Sequence, residues 1–131
     1  MNITKGTLTL QKSALTTDEV TVLINLIGQV QGVVLFGLSE LLGMKLVSKM
    51  MGQDFSSFDS LAQSGVAELG NVISGRATVM LSEAGYQSTI SPPTMITGKG
   101  VQISTLDFPR IVVTLSCEYG DMVIHLALRE S

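Results

Sequence analysis

Three side chains able to do chemistry, Ser64, Glu68 and Asn71, recur at helical spacing in the middle of this sequence. At about 100° of rotation per residue, with Ser64 set to zero, Glu68 falls near ~40°, Asn71 near ~340°, Gly75 near ~20° and Thr78 near ~320°. That is one narrow polar stripe. It carries a carboxylate, which pairs with cations, and a neutral carboxamide, which both donates and accepts hydrogen bonds. On the same wheel Val66, Leu69, Ile73, Ala77 and Met80 gather between ~140° and ~220°. The expectation is an apolar stripe against the rest of the fold and a polar stripe facing outward. The same spacing would also describe the solvent side of any amphipathic helix. Two features argue for more. Gly70 and Gly75 each cost about 1 kcal/mol relative to Ala in a helix interior, and small residues beside the stripe let another surface approach closely. Asn71 is a poor mid-helix residue because its short amide competes for the backbone.

A stripe of this kind needs a long helix and a sheet to hold it. The longest helical pattern runs from Ser60 to about residue 84 and stops at Gly85, after a polar linker over 53–60. Upstream, Leu8 and Leu10 alternate with Thr7, Thr9 and Gln11, the period of a half-buried strand. Val20, Val22, Ile24 and Leu26 form a second such face, and residues 28–32 turn the chain into an apolar strand over 33–38. Ser39 caps a short, mostly buried helix patterned by Leu41, Met44, Leu46, Val47 and Met50, ending at Gly52, with its methionines filling the core.

Downstream come a strand over 86–90, the break Ser91-Pro92-Pro93, a strand from Thr94, a tight turn over 97–100 and a strand over 101–106. Residues 110–118 and 122–129 alternate cleanly around the hairpin signal Tyr119-Gly120-Asp121. Consecutive hairpins without βαβ alternation predict one α+β domain over residues 1–131, a largely antiparallel sheet of six to seven strands with helices packed on one face.

Composition narrows the function further. The chain is 45% hydrophobic and 15% charged, with a mean hydropathy of +0.42, so it spans a membrane or hides apolar surface in a partner. The richest stretch, residues 20–42, is broken by Asn25, Gly28, Gln29, Gln31 and Glu40, short of the roughly 18 uninterrupted apolar residues a span needs. No signal-peptide pattern precedes the first strand, which makes the cytoplasm the default. A net charge of −3 and eight Lys and Arg residues argue against nucleic acid. Cys117, alone of its kind, alternates with Ile111, Val113 and Leu115 and reads as an inert core thiol. His125 alternates with Val123 and Ala127 and reads as structural or interfacial. No carboxylate or histidine cluster suggests a metal site.

Ser64-x3-Glu68-x2-Asn71, then twenty-one residues, then Pro93, resembles the Asp/Ser-x3-Glu-x2-Asn-x21-Pro signature of the CheC/CheX/FliY phosphatases. The likeness extends through residues 22–28, through Gly32-Val33-Val34-Leu35 and through residues 67–77, and covers about nine-tenths of the chain. The chain is most similar to single-motif, CheX-type members. Asn25 and Glu40 lack the partners that a second motif, as in CheC-type members, would need.

The resemblance implies removal of phosphate from the aspartyl phosphate of a CheY-like receiver by an in-line water. Asn71 would hold that water and Glu68 would pair with the receiver's lysine. A neutral amide orients water without repelling a phosphoryl dianion, and no general base is needed. Ser64 either contacts the receiver or is the small residue the stripe tolerates. Gly75 would permit close approach, and Pro93 would fix the chain after the strand that follows the helix. No cofactor of its own is implied, and Mg2+ would belong to the receiver. Family members generally carry a helix before the first strand, whereas this chain reaches Gly6-Thr7-Leu8 almost directly. That implies a homodimer covering the gap, or a truncated start. A non-catalytic receiver-binding module of flagellar-switch type and a purely structural dimerisation domain are the alternatives.

Overall fold

The structure is a computed structural model and describes residues 3–11, 15–103 and 109–131. The chain opens with β1 (Thr4–Gln11), β2 (Leu15–Thr16) and the long hairpin β3 (Val20–Gly28) and β4 (Val30–Leu38). Two helices follow, α1 (Glu40–Met51) and α2 (Ser60–Glu83). The remaining strands are β5 (Ser88–Ile90), β6 (Thr94–Thr97), β7 (Gln102–Ile103), β8 (Arg110–Cys117) and β9 (Gly120–Glu130). Seven strands make one sheet in the order β1-β8-β9-β4-β3-β5, with β6 also paired to β3, and β2 and β7 form a separate two-stranded sheet. All of these pairings are antiparallel. The fold is therefore the α+β class read from the hairpin pattern.

The central hairpin explains why the helices sit where they do. Val20 pairs with Leu38, Val22 with Phe36 and Ile24 with Val34, so alternate residues of both strands project to one face and are buried there. Leu42 and Val47 of α1 and Val66 of α2 close over that face in one cluster. Both helices are capped as their sequences require. Ser39 Oγ accepts from Leu42 N at 3.1 Å, and Gly52 ends α1 in the left-handed conformation at φ 68°. Asp59 Oδ1 accepts from Ala62 N at 2.8 Å to start α2.

Four sequence-based expectations need correction. The inward face of α2 is Ala62, Gly65, Val66, Gly70 and Ser74, whereas Ile73, Ala77 and Met80 are exposed. Two glycines mark where α2 comes closest to its neighbours. A Cβ at Gly65 would lie 2.8 Å from Val47 Cγ1, and one at Gly70 would lie 3.1 Å from Val22 Cγ1. Ile73, Ala77 and Met80 share their side of the wheel with Val66, so it is their place in the second half of the helix, beyond its contact with α1 at Gly65, and not its rotation that leaves them exposed. Leu8 and Leu10 are exposed rather than half-buried, because β1 is the sheet's edge strand and packs beside β8 alone among the described residues. Met50 and Met51, in the last turn of α1, are exposed and fill no core. The first turn is also tighter than expected, with β4 starting at Val30. Of the strand expected over 101–106, Gln102–Ile103 is present as β7, and 104–106 lie outside the described residues.

The sheet face opposite the helices is also covered. Leu35, Arg110 and Ala127 are buried there; Leu15 and Thr17 are buried as well, and Thr17 Oγ1 donates to Gly98 O at 2.7 Å while accepting from Val101 N at 2.9 Å. Arg110 Nε donates to His125 Nδ1 at 3.1 Å across the β8–β9 pair. Burial, and secondarily the Arg110 charge, push His125 down to about 4. Cys117 is half-buried against the core, its Sγ 3.4 Å from the Gly120 carbonyl.

Two outcomes follow from this packing. Gly65→Ala is expected to lower stability by about 1 kcal/mol or more in urea unfolding, because overpacking against Val47 outweighs the gain in helix propensity. His125 stays neutral in the fold down to about 4, while the unfolded chain takes up its proton near 6.5. Its contribution is intact above 6.5 and lost as pH falls toward 4. Replacing His125 by Gln should flatten the decline of unfolding free energy with falling pH across that window.

Candidate functional site

The polar stripe of α2 is held from beneath by the glycine-mediated contacts with Val47 and Val22. Ser64 and Glu68 are exposed, and Asn71 and Gly75 are half-buried. Glu68 and Asn71 stand about 4.5 Å apart along the axis on adjoining turns. Among the described residues, the side chains of Ser64, Glu68 and Asn71 make no hydrogen bond or ion pair. Their donors and acceptors are therefore committed to nothing inside the fold. Thr78 Oγ1 donates to the Gly75 carbonyl at 2.6 Å, so this member of the stripe is engaged with its own helix.

Pro93 lies on a different element. β5 and β6 both pair with β3, with Ile90 opposite Leu26 and Thr94 opposite Leu23. Ser91, Pro92 and Pro93 therefore bulge against only Ile24 and Asn25. Ser91 N donates to Asn25 O at 2.9 Å, and Asn25 N donates to Ser91 Oγ at 3.0 Å. The two prolines then occupy the stretch where ladder donors are not needed. Pro93 is half-buried in this bulge, and α2 packs on both flanking strands. The four motif positions thus belong to two elements in contact, three on α2 and one on the edge beneath it.

The arrangement is a ridge. An open cavity of about 570 Å3 lies along α1 between Lys45, Lys49, Phe55 and Tyr119, and no stripe residue lines it. Small-molecule sites are concave and mostly apolar, whereas a protruding carboxylate and carboxamide suit insertion into a macromolecular partner. Among the described residues no group of three His, Cys, Asp or Glu side chains is placed to hold a metal. No described helix is long and apolar enough to cross a membrane. Sequence reasoning passed over two residues of this ridge, Val72 and Val79, at ~80° and ~60° on the wheel and 57% and 52% exposed. Their wheel positions beside Glu68 were the available signal.

Comparison with known proteins bears on this geometry. The family described as "Chemotaxis phosphatase CheX" matches residues 20–116. The chain belongs to the CheX family. The match contains α2 with all three stripe residues, and Pro93 as well. The CheY-P phosphatase CheX of Thermotoga maritima is 31% identical to this CheX-family chain over 108 residues, 81% of the chain and 69% of the relative. A CheC-like superfamily protein from a Shewanella species superposes with a TM-score of 0.87 at 29% identity, over 98% of this chain and 85% of the other. The CheX–CheY–BeF3–Mg2+ complex from Borrelia burgdorferi matches with a TM-score of 0.82 at 26% identity, over 98% and 85%.

If the stripe serves a partner and not the fold, removing it leaves the fold intact. Glu68→Ala and Asn71→Ala are expected to stay within about 0.5 kcal/mol of the parent or exceed it, since alanine is the better helix former. Thermal unfolding of the two variants measures this.

Proposed function

We propose that this protein hydrolyses the aspartyl phosphate of a CheY-like response-regulator receiver, with Asn71 and Glu68 as its catalytic residues. The observation that carries the reading is the outward, uncommitted Glu68–Asn71 pair on α2 of a chain in the CheX family. The relative named a CheY-P phosphatase and the relative crystallised with CheY, BeF3 and Mg2+ support the substrate class.

The chemistry requires little of the enzyme beyond placement. Phosphoryl transfer to water has a loose transition state in which alignment of the nucleophile dominates. The Asn71 carboxamide enters the receiver's site and holds a water in line with the phosphorus, its oxygen accepting a water proton while the amide stays neutral beside the phosphoryl oxygens. Glu68 pairs with a lysine of the receiver and sets the docking register. Mg2+ belongs to the receiver and neutralises phosphoryl charge there. Ser64 and Pro93 support the site, the one as a small residue at the rim and the other by shaping the bulge on which α2 packs.

The same reading places the protein in the cytoplasm as a homodimer, and the exposed Ile3, Leu8 and Leu10 of the β1 edge support a partner subunit there. Asn71→Ala is expected to reduce receiver dephosphorylation by about 100-fold or more, the order lost when a reacting group is misplaced. Glu68→Ala is expected chiefly to raise KM. Release of phosphate from a labelled receiver measures both. Receiver binding with no acceleration of release by the parent protein would instead identify a non-catalytic docking module.

A further inference from the structure

The open cavity of about 570 Å3 along α1 lies apart from the Glu68–Asn71 ridge, and its size is that of a small-ligand site, roughly 300–1,000 Å3. Two aromatic side chains and two cations line it. Phe55 and Tyr119 are half-buried, packed against the core while also lining the cavity. Lys45 and Lys49 are exposed and reach it from α1. Folding gives little reason for that lysine pair. The two stand four residues apart, about 6 Å along the axis, an arrangement in which like charges destabilise a helix. Neither makes an ion pair among the described residues, although Asp54 lines the same cavity. The helix dipole accounts for Lys49, which lies in the last turn of α1. It does not account for Lys45, in the middle of the helix. Lys45 Nζ is instead held 5.3 Å from the centroid of the Tyr119 ring, which places a cation and an aromatic ring together at the cavity wall.

We propose that this cavity binds a mononucleotide, its phosphate held by Lys45 and Lys49 and its base against Phe55 and Tyr119. A phosphate dianion between the two ammonium groups converts their repulsion into a pair of charge-assisted contacts. A nucleobase brings the flat face that the two rings can stack on, which a bare anion lacks. Asp54 is the acceptor of the set. It suits a ribose hydroxyl or a base amino group, and its charge opposes a second or third phosphate. A nucleic-acid strand is a poorer match, because a net charge of −3 repels a run of phosphates, whereas a single phosphate needs only two local cations. None of these residues takes part in the proposed phosphatase chemistry.

Isothermal titration of the protein with AMP and GMP, and with adenosine and inorganic phosphate at the same ionic strength, decides the matter. At least one nucleotide should bind saturably at one site, about tenfold or more tighter than either adenosine or phosphate. Lys45→Gln and Lys49→Gln should each weaken that binding about tenfold while melting close to the parent, since both side chains are exposed. Phe55→Leu should weaken it about fivefold or more. If Phe55→Leu fails to fold, the two lysine variants and the adenosine comparison carry the test. No saturable binding of either nucleotide, or parent-like affinity in both lysine variants, overturns the proposal. Inorganic phosphate bound as tightly as the nucleotides reduces the cavity to a site for any anion and overturns the assignment to a nucleotide. Adenosine bound as tightly removes the role of the lysines and overturns it as well.

Discussion

The close seating of α2 on the sheet and on α1 is the contact on which the rest depends. It is made through Gly70 against Val22 and Phe36, and through Gly65 against Val47. Neither glycine favours the helix locally. Their tertiary return is an approach that larger residues would forbid, and it fixes how the helix is rotated. Once those two positions point inward, Ser64, Glu68 and Asn71 must lie on an accessible flank.

The sheet is organised to receive that helix. β3 lies between β4 on one side and the β5–β6 pair on the other, so a single apolar row on β3 underlies much of α2. The edge beyond it is interrupted at Ser91-Pro92-Pro93, where the loss of ladder donors coincides with the bulge against Ile24 and Asn25. The opposite face of the sheet carries the Arg110–His125 contact and the buried Leu35 and Ala127. Packing demands are thus met on both faces. The outward side of α2 is left free of them, which is the condition a reactive ridge needs.

A phosphatase of this design contributes geometry and little else. On the proposed mechanism the metal and the phosphorylated side chain reside with the receiver, so this chain's part reduces to one amide, one carboxylate and a surface that brings them to the same place each time. Rigidity at the base of α2 matters for this reason. A helix able to roll on the sheet would move Asn71 by more than the proposed in-line attack tolerates, and β-branched Val22 and Val47 pressed against glycine resist that roll.

The sequence by itself determined the α+β class, the long α2 with its stop at Gly85, the Ser39 cap and the spacing that joins Ser64, Glu68, Asn71 and Pro93. These were legible because caps, alternation and helical period are local properties of the chain. The extent of the buried face of α2 was not. An apolar count pointed to Val66, Leu69, Ile73, Ala77 and Met80 as the inward face; the structure buries Val66 and packs Leu69 against the core, but it exposes the other three and buries Ala62, Gly65, Gly70 and Ser74 instead. Hydrophobicity ranks residues by what they gain from burial, whereas the seat of a helix also depends on how close its neighbours can come. The cover over the second sheet face, the exposure of Leu8 and Leu10 and the difference between a packed Gly70 and an unpacked Gly75 were likewise decided only in three dimensions. Each is a relation between residues far apart in the chain, and no local pattern encodes it.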